Sequence, residues 1–190
     1  MSGYAGSIIS VLLMSMLACG RAATYMDGSV NATRLDAKDS AAVRFVLASG
    51  TPGQSQRGFA IRIDSRPALC SRLQQGSASK AGDVSLDLVV LGLAGAAELE
   101  PGPYNVILAA ESFGVRGSSA AFVAFDASCS NQTHGYEAAG TIFLSSISPA
   151  MVKGDFDLNF INGSSVDHVT GAFEAPICTD LNPSDTVCEP

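Results

Sequence analysis

The side chains with the most distinctive chemistry are five cysteines, at positions 19, 70, 129, 178 and 188. Cys19 stands apart, at the end of an apolar run near the start of the chain. Cys70, Cys129, Cys178 and Cys188 form an even set, which in an exported chain reads as two disulfides. Three connectivities are open. Asn182-Pro183, between Cys178 and Cys188, is good turn chemistry. The expectation is therefore a short terminal loop closed by Cys178 and Cys188, with Cys70 and Cys129 closing a long one. No C-x-x-C and no close Cys/His pair occurs, so no metal site is expected on them.

The next candidates are carboxylates. Asp155, Asp157 and Asn159 alternate with Phe156, Leu158 and Phe160. The spacing begins like a calcium loop. Such a loop then needs glycine for its sharp turn, and Phe160 stands there instead. The plain reading is the solvated face of a strand. The sharper readings are a weak calcium site shared with a neighbouring loop, or an acid pair in a hydrolase. His134 falls in a loop and His168 on a strand, and neither has a partner adjacent in sequence. No G-x-S-x-G, phosphate-binding loop, dinucleotide fingerprint or H-E-x-x-H occurs. No catalytic, cofactor or metal-binding residue is therefore assigned. Asn31, Asn131 and Asn162 begin N-x-[ST] sequons. In a chain rich in serine and threonine they are read as chance, and Asn162-Gly163 is in addition a turn signal.

The apolar run from Ile8 to Ala18 has the length of a signal-peptide core and is short for a membrane span. Met16-Leu17-Ala18-Cys19 resembles the bacterial lipobox, with Met16 where leucine is the rule. No lysine or arginine precedes Arg21. The resemblance implies cleavage before Cys19 and a diacylglycerol on its sulfur. Two acyl chains anchor stably, at about 0.8 kcal/mol per buried CH₂. Plain cleavage after Ala18 and an uncleaved anchor are the alternatives. Gly20 follows the cysteine, where an aspartate would signal inner-membrane retention in enteric-type sorting. The expected location is an exported protein on the outer membrane or cell surface.

Eighteen acids against eleven bases give a formal charge of −7 across 190 residues. An acidic chain disfavours nucleic acid and supplies no attraction to anionic lipid. Hydrophobic content of 47% supports one sizeable core. The organisation reads as a signal peptide at 1–18, an anchor cysteine and flexible tether at 19–40, and a single domain at 41–190.

Within that domain, short apolar runs alternate with turn residues. Strands are expected at 42–48, 58–64, 84–91, 104–109, 121–126, 140–146, 152–161 and 165–173. The last two are joined by a hairpin at Asn162-Gly163, the strongest short-range turn signal in the chain. Helical periodicity is hard to find, with at most a short turn at 94–99. Eight or nine short strands indicate an all-β antiparallel sandwich, with a barrel as the alternative.

Several short motifs follow in order: Pro101-Gly102-Pro103-Tyr104, Gly140-Thr141, Lys153-Gly154-Asp155-Phe156, and Gly171-Ala172-Phe173-Glu174-Ala175-Pro176-Ile177-Cys178. This order resembles uncharacterised exported lipoproteins of myxobacteria and similar δ-proteobacteria. Those carry PGxY, kGxFdl and GsFxAPxC patterns over about 120 residues. The resemblance implies a disulfide-linked β domain on a cell envelope and no activity.

The functional expectation is a non-enzymatic, membrane-anchored envelope module, structural or binding a protein or glycan. No cofactor is expected. The alternatives are an envelope hydrolase with a site built from distant loops, and an apolar-ligand carrier with a barrel interior.

Overall fold

The computed structural model describes residues 24–48, 55–76, 79–106, 114–134, 137–180 and 188–189. Two five-stranded antiparallel sheets face one another. The first has the order β1 (Tyr25–Gly28), β11 (Ser165–Pro176), β10 (Met151–Asn162), β9 (Glu137–Ile147), β6 (Gly102–Asn105). The second has the order β2 (Asp39–Leu47), β3 (Gln56–Asp64), β5 (Val84–Leu91), β7 (Gly117–Phe125), β8 (Asn131–His134). A short parallel pair joins β4 (Ser79–Lys80) to β12 (Cys188–Glu189). The expected all-β sandwich is what forms, and neither sheet closes into a barrel.

Alternation dictates the core. On β10, Val152, Phe156, Leu158 and Phe160 point inward, and β11 answers with Val169, Phe173 and Ala175. From the other sheet come Phe59, Ile61 and Ile63 on β3, Leu86, Leu88 and Val90 on β5, and Phe122 on β7. The rings of Phe122 and Phe160 meet edge to face across the two sheets, with centroids 6.3 Å apart. Every one of these core side chains is nearly or wholly removed from solvent, which is the main stabilising term of such a fold.

The β10–β11 hairpin sits one residue later than the sequence suggests. Asn162 still pairs with Ser165, so Gly163 and Ser164 form the turn. Gly163 has φ +58° at the first central position, where a type II′ turn takes glycine. The Pro101–Tyr104 motif forms a tyrosine corner. Buried Tyr104 donates its hydroxyl to the Glu100 carbonyl at 2.6 Å, under the Arg116 guanidinium at 4.2 Å from the ring centre. Burial raises the Tyr104 pKa above the usual tyrosine value, against the opposing Arg116 charge.

Two expectations, on the tether and on the number of strands, are corrected. The flexible tether does not run to residue 40. Tyr25–Gly28 is an edge strand on β11, Val30 and Leu35 lie in the core, and Thr24 bonds the Ser40 hydroxyl at 2.9 Å. A four-residue strand and two isolated apolar residues leave no periodicity to read. The strands also number more than nine, because β1, β4, β8 and β12 are too short to show alternation.

The third difference is a helix, α1 (Leu69–Gln75). Its N-cap, Ala68, is left-handed and offers no side-chain acceptor. Asp39 on β2 substitutes for the missing cap: its Oδ2 accepts the Leu69 N–H at 2.8 Å. A cap supplied from 30 residues upstream leaves no local signature.

Candidate functional site

The carboxylate row lies where alternation puts it, on the outer face of the first sheet. Asp155 and Asp157 are exposed, and Asn159 is half-buried. Asp157 is tied to His168 on β11, Oδ1 to Nε2, at 2.8 Å. Lys153 pairs with Glu174 at 2.9 Å. The face is open and laced with exposed ion pairs, each worth little in water. Among the described residues, no three His, Cys, Asp or Glu side chains converge on a common point. Asp155 and Asp157 stand exposed on this open face, so the row has neither the enclosure of a catalytic pair nor the wrapped ligands of a calcium loop. His134 is on edge strand β8 of the second sheet, its backbone paired with Phe122, whereas His168 belongs to the first sheet.

The cysteines overturn the expected pairing. Cys70 is bonded to Cys178, with a Cα–Cα separation of 5.5 Å. After β11 the chain leaves the first sheet and crosses to the edge of the second. Ile177 bridges Ala42, and the Cys178 N–H bonds the Ala42 carbonyl at 2.8 Å. That crossing brings Cys178 against α1, where Cys70, Leu69, Leu73 and Ala41 form a small apolar cluster. Topology therefore outweighs the local turn logic at Asn182-Pro183, which lies outside the described residues. Cys129 is also disulfide-bonded. It sits at φ +62° in a turn gathered by the Asp126 carboxylate, which accepts the N–H groups of Ser128 and Ser130. Cys19 lies outside the described residues.

Around α1 a set of charges holds the corner rigid. Arg72 bonds Asp64 at 2.9 Å, with side chains only 12% and 2% exposed. Arg66 bonds Asp83 at 2.7 Å. Asp64 also accepts the Arg66 N–H at 2.7 Å. Burial pushes the Asp64 carboxyl above the usual aspartate range, against the pull of the Arg66 N–H and the Arg72 guanidinium. These contacts fix the β3–α1 connection and present Cys70 to its partner.

A concave feature lies outside the sequence-based expectations. It is a depression of about 310 Å³ on the outer face of the second sheet, bounded by α1 through Leu73. Its floor is small and apolar: Ala41 and Val43 on β2, Ala60 on β3, Val89 on β5. One polar element crosses it. Arg62 on β3 stands opposite Asp87 on β5 and grips it with two parallel bonds, Nε–Oδ1 at 2.7 Å and Nη2–Oδ2 at 2.8 Å. Both side chains are about 30% exposed at most. Burial alone would lower the Arg62 pKa, but the bonds and charge of Asp87 outweigh it and raise the value. The sequence does hold a signal for this site: alternation in Val84–Leu91 breaks at Val89, an apolar residue on the outward side.

The molecule is thus a disulfide-linked β-sandwich with one solvated charged face and one dished apolar face. No known protein family, curated protein or solved structure matches the chain.

Proposed function

We propose that the protein is a membrane-anchored envelope lipoprotein: a non-enzymatic binding or structural module carried on a diacylglycerol at Cys19. The observation that carries the reading is the Cys70–Cys178 bond. Disulfides persist in oxidising compartments outside the cytoplasm, and a lipobox-like Met16–Cys19 segment supplies the means of export and attachment. Edge strand β1, a few residues after Cys19, suits such a tether, because attachment there leaves both outer faces open to partners. The open setting of Asp155 and Asp157, the latter bonded to His168, supports a role without catalysis.

Metabolic labelling with a palmitate probe tests the anchor. Wild-type protein in a bacterial host takes up label, and Cys19→Ser loses it. Equal labelling of the two would remove the lipoprotein reading.

A further inference from the structure

The two outer faces differ in kind. The first sheet presents Lys153, Asp155, Asp157 and His168, as a solvated face should. The second presents Val43, Ala60 and Val89 around the Arg62–Asp87 ion pair, with buried Ala41 at the margin under α1. The helix α1 covers Ala41 at one end of this face, but Val43, Ala60 and Val89 remain partly exposed beyond it and line a depression. The depression of about 310 Å³ is at the lower end of the volumes that hold small ligands, roughly 300–1,000 Å³.

We infer that this depression is a binding site for a small neutral molecule with an aliphatic body and one carboxamide-like group. The electrostatics select the class. Arg62 and Asp87 neutralise one another through two bonds, so the floor carries a dipole and no net charge. A carboxylate ligand would be drawn by Arg62 and repelled equally by Asp87. An ammonium ligand meets the reverse. Desolvating either charge at a half-buried site is costly without a dedicated partner. A carboxamide meets both ends at once. Its oxygen accepts from the Arg62 guanidinium, whose Nη1 takes no partner among the described residues, and its N–H₂ donates to a remaining lone pair of Asp87. The aliphatic body covers Val43, Ala60 and Val89, and Leu73 closes the side. The inference names a ligand for the binding-module reading, but it does not depend on attachment at Cys19.

The test is methyl-detected NMR on the purified full chain, titrated separately with hexanamide, hexanoate and hexylammonium. Hexanamide should give saturable shifts at the methyls of Ala41, Val43, Ala60 and Val89. The two charged analogues should bind about tenfold more weakly, the equivalent of 1.4 kcal/mol. Ala60→Leu, which fills the floor, should abolish the shifts while the thermal melt stays cooperative. Asp87→Asn leaves Arg62 unopposed and should reverse the preference toward hexanoate. Equal affinity for all three probes, or shifts confined to other residues, would overturn the proposal, as would an absence of shifts. If Asp87→Asn fails to fold, the ranking of the three probes on the native protein still decides. Equal palmitate labelling of wild type and Cys19→Ser with these shifts intact would remove the anchor and leave the site standing.

Discussion

The ring of Phe156 lies over Gly171, its directly opposed partner across the β10–β11 ladder, so closely that a Cβ on Gly171 would sit 2.4 Å from the ring's Cζ. The relationship is reciprocal. Phe173 covers Gly154, where an added Cβ would lie 2.8 Å from its Cζ. Gly-Asp-Phe on one strand and Gly-Ala-Phe on the other are thus two copies of one device. Antiparallel pairing sets each phenylalanine on the other strand's glycine, filling the space a glycine leaves in a sheet.

Gly171→Ala should therefore destabilise the protein by about 1–3 kcal/mol through overpacking. The Tyr25 carbonyl, 2.3 Å from the same added Cβ, adds a backbone clash that no rotamer change relieves. For a domain of this size each kcal/mol lowers Tm by about 2–4 °C. Calorimetry of Gly171→Ala that leaves Tm unchanged would show that the strands part easily here.

Non-reducing peptide mapping should recover Cys70 linked to Cys178, with Cys129 linked to Cys188. The second pair follows from backbone neighbours. The strand carrying Cys188 pairs with Ser79–Lys80, and the Gly82 N–H bonds the Phe125 carbonyl just before the Cys129 turn. Replacing Cys70 and Cys178 together by serine should cost about 2–5 kcal/mol, given the long loop they close. Recovery of a Cys178–Cys188 peptide would contradict the crossing at Ala42.

Asp64 makes stability depend on pH in an unusual direction. Its folded pKa is raised by burial, so the native state holds this proton more tightly than the unfolded chain, where an aspartate titrates at about 3.9. Its contribution is fully present below that value and is lost as pH rises through the raised folded value. Asp64→Asn removes the titration. Urea unfolding of both proteins across the acid range should show wild type losing ground to the variant as pH rises, then running parallel to it near neutrality. A difference that grows in wild type's favour over that window would mean that Arg72 outweighs burial.

Gln56 is fully buried at the start of β3 and bonds three loop groups: the carbonyls of Gly92 and Val115 at 2.7 and 2.8 Å, and the Gly114 N–H at 3.2 Å. Gln56→Leu keeps the volume and abandons all three. Each buried group left unpaired costs about 1–3 kcal/mol, so the variant should be strongly destabilised. Hydrogen exchange should show early loss of protection at Gly92 and Gly114. Unchanged protection there would assign the loops' order to other contacts.

Alternation made the sandwich legible. Phe156, Leu158 and Phe160 declare the core side of β10, and Ile61 and Ile63 that of β3, because a period of two survives wherever one face is buried and the other wet. The features that escaped are set by distant partners. Leu69 begins a helix because Asp39, on another element, accepts its N–H. Cys178 finds Cys70 because the chain changes sheets after Pro176. The dished face escaped for a different reason: Ala41, Val43 and Ala60 are apolar on the side expected to be polar, and such residues blur the very period used to find strands.

The Cys70–Cys178 bond also decides how the molecule would bear a pull. Tension applied between the first strand and the end of the chain peels β1 from β11 one hydrogen bond at a time, then reaches β2 and β3. At Cys70 the load passes through the sulfurs directly to Cys178. Everything from β4 through β11, including the hairpin with its paired glycines and phenylalanines, lies within the loop this bond closes and cannot be drawn out by the pull. The far half of the sandwich is mechanically sheltered by a covalent shortcut.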